Sequence, residues 1–309
     1  MDPRGIKIGI HVPAASAGRL PSGNDYIEFF KQAEAMGFHS LWTEDRIFHN
    51  ANFLDSLTLL SWAAASTERI QLGTAVLLLA LRNAPLLARQ VSAMDHLSGG
   101  RMNLGVSLGG RPSEYQGLGL EMSERVAHLR ESIIVLRRLL AGDSVTYAGR
   151  FYRLEKATIR PAAIRSGGMP LYMGGRVDAA LRRAAELADG WINGPFSSPD
   201  DFRESWAKIH EYAREFGRDP AELEAGKLLY VAVNENKDHA RRFLETFIRD
   251  YYGPSFDLDR YGMFGPAEEV AEGLRAYADA GVTTFMLGVP TLDIGHLEQI
   301  ANNVVPRLT

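Results

Sequence analysis

Three stretches of this chain repeat one joint. Met36-Gly37-Phe38-His39-Ser40-Leu41-Trp42, Leu97-Ser98-Gly99-Gly100-Arg101-Met102-Asn103-Leu104-Gly105-Val106 and Ala280-Gly281-Val282-Thr283-Thr284-Phe285 each end a helix-periodic run on glycine and start an apolar run almost at once. Glycine takes the left-handed backbone that stops a helix without a Cβ penalty. The apolar runs have the length of buried strands. Each joint is therefore one helix-to-strand step. Steps that recur along the chain restrict it to an α/β fold built on a parallel sheet.

The segments between the joints complete the series. Strands are expected over 6–10, 40–42, 70–77, 102–106, 170–173, 190–193, 228–233 and 282–287. Helical spacing follows each of the early ones: a helix capped by Asn24, one over 57–65, and one capped by Asn83 with Pro85 in its first turn. Later helices carry Val126, Leu129, Ile133, Leu136 and Leu140 on one face, pass through Leu181, Ala184 and Ala188, and cover 268–280 and 294–304. Strands in this alternation predict an α/β fold of the TIM (β/α)8 barrel type with insertions, a single domain over 1–309. No Gly-x-Gly-x-x-Gly follows the first strand, against an open dinucleotide-binding sheet. Residues 145–152 break the alternation and read as a hairpin about Ala148-Gly149, inside an insertion over 144–169. The Tyr-, Gly- and Asp-rich stretch 250–265 reads as a lid or loop.

Composition removes several classes of function. The net charge of −4 gives no footprint for nucleic acid or an anionic membrane. With no cysteine there is no disulfide, thiolate nucleophile or thiolate metal site. The longest apolar run, 74–81, is far short of the ~20 residues of a membrane helix. Met1-Asp2-Pro3-Arg4-Gly5 lacks a signal-peptide core, so a cytoplasmic protein is expected. His39, His49, His96, His128 and His210 show no paired ligand spacing, so no dedicated metal is expected. No Gly-x-Ser-x-Gly elbow is present. Lys7 and Lys227 read as strand starts, at the wrong end of a barrel for a Schiff base. A barrel lacking these groups must draw its reactivity from elsewhere, and a bound redox cofactor fits that gap.

Chemistry in a barrel sits where strands end. Those ends are His11, Glu44-Asp45-Arg46 with His49, Ala75-Val76, Ser107-Leu108-Gly109-Gly110, Gly174-Gly175-Arg176 and Asn193-Gly194. Gly174-Gly175-Arg176 runs into a helix, where free N–H groups, the helix dipole and a guanidinium make an anion site; tight packing is the alternative. Asn193-Gly194 would lie beside it. His11, Glu44 and His49 are candidate proton-handling groups, against a hydrogen-bonded structural role for each histidine. Arg46 either faces the substrate or pairs with Asp45 to fix the loop. Tyr115, Tyr251, Tyr252 and Phe256 either line an apolar pocket or pack loops onto the barrel, with packing preferred. Arg101 falls on the opposite face, where residues serve stability.

The segments Ala33-Glu34-Ala35-Met36-Gly37-Phe38-His39-Ser40-Leu41-Trp42, Ile70-Gln71-Leu72-Gly73-Thr74-Ala75-Val76, Arg82-Asn83-Ala84-Pro85-Leu86-Leu87-Ala88-Arg89-Gln90 and Leu97-Ser98-Gly99-Gly100-Arg101 resemble, in order, the luciferase-like monooxygenase superfamily of flavin- and deazaflavin-dependent oxidoreductases. Gly149-Arg150-Phe151-Tyr152, Gly174-Gly175, Ala188-Asp189-Gly190-Trp191 and Gly265-Pro266-Ala267-Glu268-Glu269-Val270 continue the match. The resemblance implies a TIM barrel holding FMN or coenzyme F-420 (F420) at its strand ends, against a third-strand bulge with a cis peptide at Ala75–Val76. It assigns Ala75, Val76, Ser107 and Gly109 to the cofactor, and Gly174, Gly175, Arg176, Asn193 and Gly194 to its phosphate. It also implies a homodimer and, for an FMN enzyme, a separate flavin reductase. Relatives carry Asp-His or Glu-His-His where this chain has Glu44-Asp45-Arg46, so no histidine role carries over there and Arg46 is assigned to substrate. F420-dependent hydride transfer is the preferred expectation. FMN-dependent oxygen insertion, a non-catalytic flavin-binding protein and a phosphate-binding isomerase or lyase are the alternatives.

Overall fold

Parallel strands close on themselves around the chain's centre in the computed structural model, which describes residues 5–16, 18–254 and 256–308. Residues 1–4, on which the expectation about a leader rested, lie outside the described residues, as do Ala17, Ser255 and Thr309. The barrel strands are β1 (Lys7–His11), β2 (Ser40–Thr43), β3 (Gln71–Leu77), β4 (Met102–Val106), β5 (Leu171–Gly174), β6 (Gly190–Asn193), β7 (Glu224–Val233) and β8 (Thr284–Gly288). They neighbour one another in the order β6-β5-β4-β3-β2-β1-β8-β7, and pairing of Gly190 with Glu224 closes the ring between β6 and β7. Helices α1 (Gly23–Ala35), α2 (Ser56–Ser66), α3 (Ala84–Leu97), α4 (Arg125–Leu140), α5 (Asp178–Leu187), α6 (Pro199–Glu215), α7 (Lys237–Tyr252) and α8 (Ala267–Asp279) form the outer layer. This is the α/β TIM barrel that the helix-to-strand joints require. Among the described residues no helix is long and apolar enough to cross a membrane.

Local chemistry moved a few boundaries. The cap of α1 is Ser22 rather than Asn24, because Ser22 and Asp25 exchange the two bonds of a capping box. β7 begins at Glu224 rather than at residue 228, so Lys227 lies within a strand and not at its start. The hairpin pairs Val145–Ala148 with Arg153–Ala157, leaving residues 149–152 as the turn in place of a tight Ala-Gly corner. Within 250–265, α7 runs on to Tyr252, Leu258–Tyr261 is helical, and Met263–Gly265 adds a parallel edge to Val231, Ala232 and Val233.

Strand side chains alternate between two environments. Trp42, Tyr172, Ile192, Leu228, Tyr230 and Met286 fill the barrel interior, while their neighbours pack against the helices. Two glycines make room for the largest of them. A Cβ on Gly73 would lie 2.3 Å from the Trp42 ring, and one on Gly288 would lie 2.5 Å from that of Tyr230. Polar groups plug the N-terminal mouth: Lys7 Nζ meets Glu224 at 3.0 Å, and Tyr172 donates to the same carboxylate at 3.2 Å. On that face Arg101, as expected, is an anchor. Its guanidinium donates to the Ser98, Ile70, Ala64 and Thr67 carbonyls and to Thr67 Oγ1, at 2.6 to 3.0 Å.

Candidate active site

The opposite mouth is open, a cleft of about 600 Å³ framed by strand ends and the loops after them. Its floor comes from β3. Register against β4 slips between Thr74 and Leu77, and the Ala75–Val76 peptide in that bulge is cis. Thr74 Oγ1 fastens the bulge by donating to Gly105 O at 2.7 Å. Ala75, Val76, Met173, Ile192 and Leu228 make this floor apolar, and Ser107, Gly109 and Gly110 continue it along the end of β4.

The two charged ends of the cleft lie across the barrel from each other. At the β5 end are Gly174, Gly175, Arg176, Val177 and Gly194, joined by Ala180 and Arg183 from α5. The helix start has no side-chain cap, so its first N–H groups are left for a ligand. A Cβ on Gly194 would meet only open space, and Arg183 Nε is buried with no hydrogen-bond partner. Burial, and then the nearby charges of Arg130 and Arg125, lower the Arg183 pKa, and an anion here would act in the opposite direction. The Arg176 guanidinium rests over the Phe196 ring, 5.6 Å from its centroid.

At the β2 end the loop turns Glu44 and Arg46 into the cleft. Glu44 and His11 are both buried, with His11 Nε2 2.8 Å from Glu44 Oε2. The two atoms are close but not aligned as a hydrogen bond, and neither Glu44 oxygen accepts an aligned hydrogen bond. Tyr230, Tyr251 and Tyr252 wall this end, and the Tyr230 and Tyr252 hydroxyls meet at 3.0 Å. Burial pushes the Tyr230 phenol well above its ordinary range, so it is a neutral donor.

The strand-end reading therefore placed Glu44, Arg46, Ala75, Val76, Ser107, Gly109, Gly174, Gly175, Arg176 and Gly194 on one cleft, with His11 directly behind Glu44. The other candidates are placed differently. His49 is outside: it stacks on the far side of Tyr251 with centroids 5.5 Å apart, and its Nδ1 accepts from Ala51 N. Asn193 reaches the site only through its backbone neighbour, because Ile192 takes the inward position and turns the Asn193 side chain outward to Lys227. Arg46 does not pair with Asp45. Asp45 is held by Arg82 at 2.9 Å and by Leu78 N at 3.0 Å, while Arg46 lies 5.9 Å from the Tyr251 centroid with Nε unpartnered. Tyr251 and Tyr252 line the cleft, whereas Tyr115 and Phe256 pack loops. Arg183 and Tyr230 were missed, although Arg183 follows Ala180 at helical spacing and Tyr230 shares strand parity with Leu228. Among the described residues no group of three or more His, Asp or Glu is arranged to hold a metal.

A long, flat, amphiphilic cofactor fits these groups: the apolar floor suits a fused ring system, and the glycine cradle with an orphaned arginine nitrogen suits a phosphate. Comparison with known proteins agrees on the lineage. The family model for luciferase-like monooxygenases matches residues 5–304. A 5,10-methylenetetrahydromethanopterin reductase of Methanolobus tindarius is 29% identical over 255 residues, covering 82% of this chain and 76% of the relative. An F420-dependent secondary alcohol dehydrogenase, solved with an F420-acetone adduct, superposes with a TM-score of 0.87 at 21% identity, covering 98% of this chain and 99% of that one. The oxygenating constituent of 3,6-diketocamphane monooxygenase from Pseudomonas putida, solved with FMN, gives a TM-score of 0.80 at 17% identity over 98% and 99% of the two chains. At those identities the solved structures speak for the barrel. The family match spans nearly every described residue, and the chain belongs to the luciferase-like monooxygenase family of flavin- and deazaflavin-dependent oxidoreductases.

Proposed function

We propose that this protein is an F420-dependent oxidoreductase that moves a hydride between the deazaflavin and a small organic substrate. The observation that carries the reading is the layout of one cleft, with an apolar floor at Ala75 and Val76, an arginine-rich anion end at β5 and an acid–base end at β2. When bound, such a cofactor would donate the hydride in its reduced form or accept it in its oxidised form. The chain's own residues do the rest. Gly174, Gly175, Arg176, Arg183 and the start of α5 would hold the phosphate. Ala75, Val76, Ser107 and Gly109 would seat the ring, and Phe196, Tyr251 and Tyr252 would keep water from its far face.

Glu44, backed by His11, is suited to holding or moving a proton at a substrate oxygen, since its carboxylate faces the cleft with no donor of its own. Arg46 offers an unpartnered Nε to a carbonyl or anionic group beside it. Glu44→Gln is expected to leave the cofactor Kd within about twofold while lowering kcat by roughly 100-fold or more on any substrate the wild type turns over. Parallel titration and steady-state kinetics check this, and an unchanged kcat would remove Glu44 from the proton path.

The reading itself is tested by fluorescence titration of the purified protein with F420 and with FMN. Saturable binding of F420 in preference to FMN is the expected result. Binding of neither sinks the redox reading. Preference for FMN would favour the second reading, oxygen insertion, which rests on the likeness to the FMN-bound monooxygenase constituent.

A further inference from the structure

Lys227 is fully buried on the outward face of β7, opposite Asn193 of β6. Its Nζ donates to Asn193 Oδ1 at 2.8 Å, to Gly194 O at 2.5 Å and to Ser197 Oγ at 2.9 Å, so all three ammonium protons are used. Beneath it lies the Tyr277 ring of α8, 5.2 Å from Nζ, and the Tyr277 hydroxyl donates to Ser197 O at 2.6 Å. The Ser197 hydroxyl in turn donates to Asn193 Oδ1. Every hydrogen-bond partner of the ammonium is uncharged, and burial pushes its pKa well below the ordinary lysine range. An apolar side chain of similar volume would avoid that desolvation cost but would leave the Asn193, Gly194 and Ser197 oxygens without their donor, so what the lysine secures is the conformation of this loop.

That conformation matters on the other side of the same loop. Gly194 and Phe196 face the cleft, and Phe196 carries the Arg176 guanidinium over its ring. We propose that Lys227 is a positioning residue of the cofactor site: it clamps residues 193–197 from behind and so holds Phe196, and through it Arg176, at the phosphate end. The proposal rests on the cofactor-binding reading above. It assigns a role to a group that touches neither cofactor nor substrate, and that the sequence placed at a strand start with no role at all.

Lys227→Met in the full chain tests it, with fluorescence titration of F420 and FMN alongside their dephosphorylated chromophores, the ribityl 5-deazaflavin and riboflavin. For whichever phosphorylated cofactor the wild type binds, affinity should fall roughly 10- to 100-fold, as for a catalytic-site group displaced by ~1 Å. Affinity for the matching chromophore should stay within about twofold, because the displaced group is the phosphate anchor. Equal losses for both forms would mark a merely structural role and overturn the proposal, as would wild-type affinity in the variant. A wild type that binds neither cofactor removes the underlying reading and this proposal with it. Should Lys227→Met fail to fold, Ser197→Ala decides by the same pair of titrations. It removes one acceptor of the ammonium, for an expected loss of about fivefold in the phosphorylated form only, and no loss overturns the proposal.

Discussion

Arg101→Ala is expected to lower the thermal midpoint by roughly 6 °C while leaving cofactor affinity, measured in the cold, unchanged. Arg101 is 7% exposed, and its guanidinium donors reach four backbone carbonyls and a threonine hydroxyl at the end of α2, just before β3 and at the end of α3. Two of those carbonyls, Ala64 and Thr67, belong to the C-terminal end of α2, where a cation also complements the helix dipole. Alanine leaves the carbonyls without their donor, at about 1–3 kcal/mol for each one that water does not reach. Relief from burying the charge offsets part of this, since burial already lowers the Arg101 pKa. A net loss of about 4 kcal/mol corresponds to the stated shift at ~1.5 °C per kcal/mol for a chain of this length. Arg101→Lys should recover little, because an ammonium has three donors and cannot span the same fork. A midpoint within about 2 °C of wild type in the alanine variant would show that the network is not what joins these elements.

That anchor illustrates which parts of the molecule the sequence makes readable. Helix-to-strand joints are local: glycine, an apolar run and a period change lie within ten residues, so the barrel and most of its strands could be placed from them. β7 escaped at its start because Glu224 and Lys227 interrupt the apolar pattern for reasons that come from elsewhere, the plug at one mouth and the clamp behind β6. Strand-end residues of the cleft were legible by the same logic. Parity was the overlooked signal: Ile192 and Leu228 face inward, which puts Asn193 and Lys227 outside and Tyr230 inside. His49 could not be placed this way. Its position is set by Tyr251, far away in the chain, and no local pattern encodes that stack.

Gly175→Asp carries the largest expected effect on binding, a loss of about 1,000-fold in affinity for a phosphorylated cofactor. The loss has two parts that a second variant separates. Gly175 sits at φ 143°, a backbone conformation that L side chains rarely adopt, and a Cβ there would lie 2.6 Å from Ala180 Cβ in the first turns of α5. Gly175→Ala therefore displaces the start of α5 and should itself weaken binding by about tenfold, at ~1–3 kcal/mol for the strained conformation. Aspartate adds a carboxylate beside the proposed phosphate site, and like charges brought together cost several kcal/mol, enough for the remaining ~100-fold. Only the second part is screened by salt. The gap between the two variants should narrow as ionic strength rises, while the gap between alanine and wild type should hold. If aspartate binds the cofactor as tightly as alanine at low salt, the anion end of the cleft lies elsewhere, and Arg176 and Arg183 lose the role assigned to them.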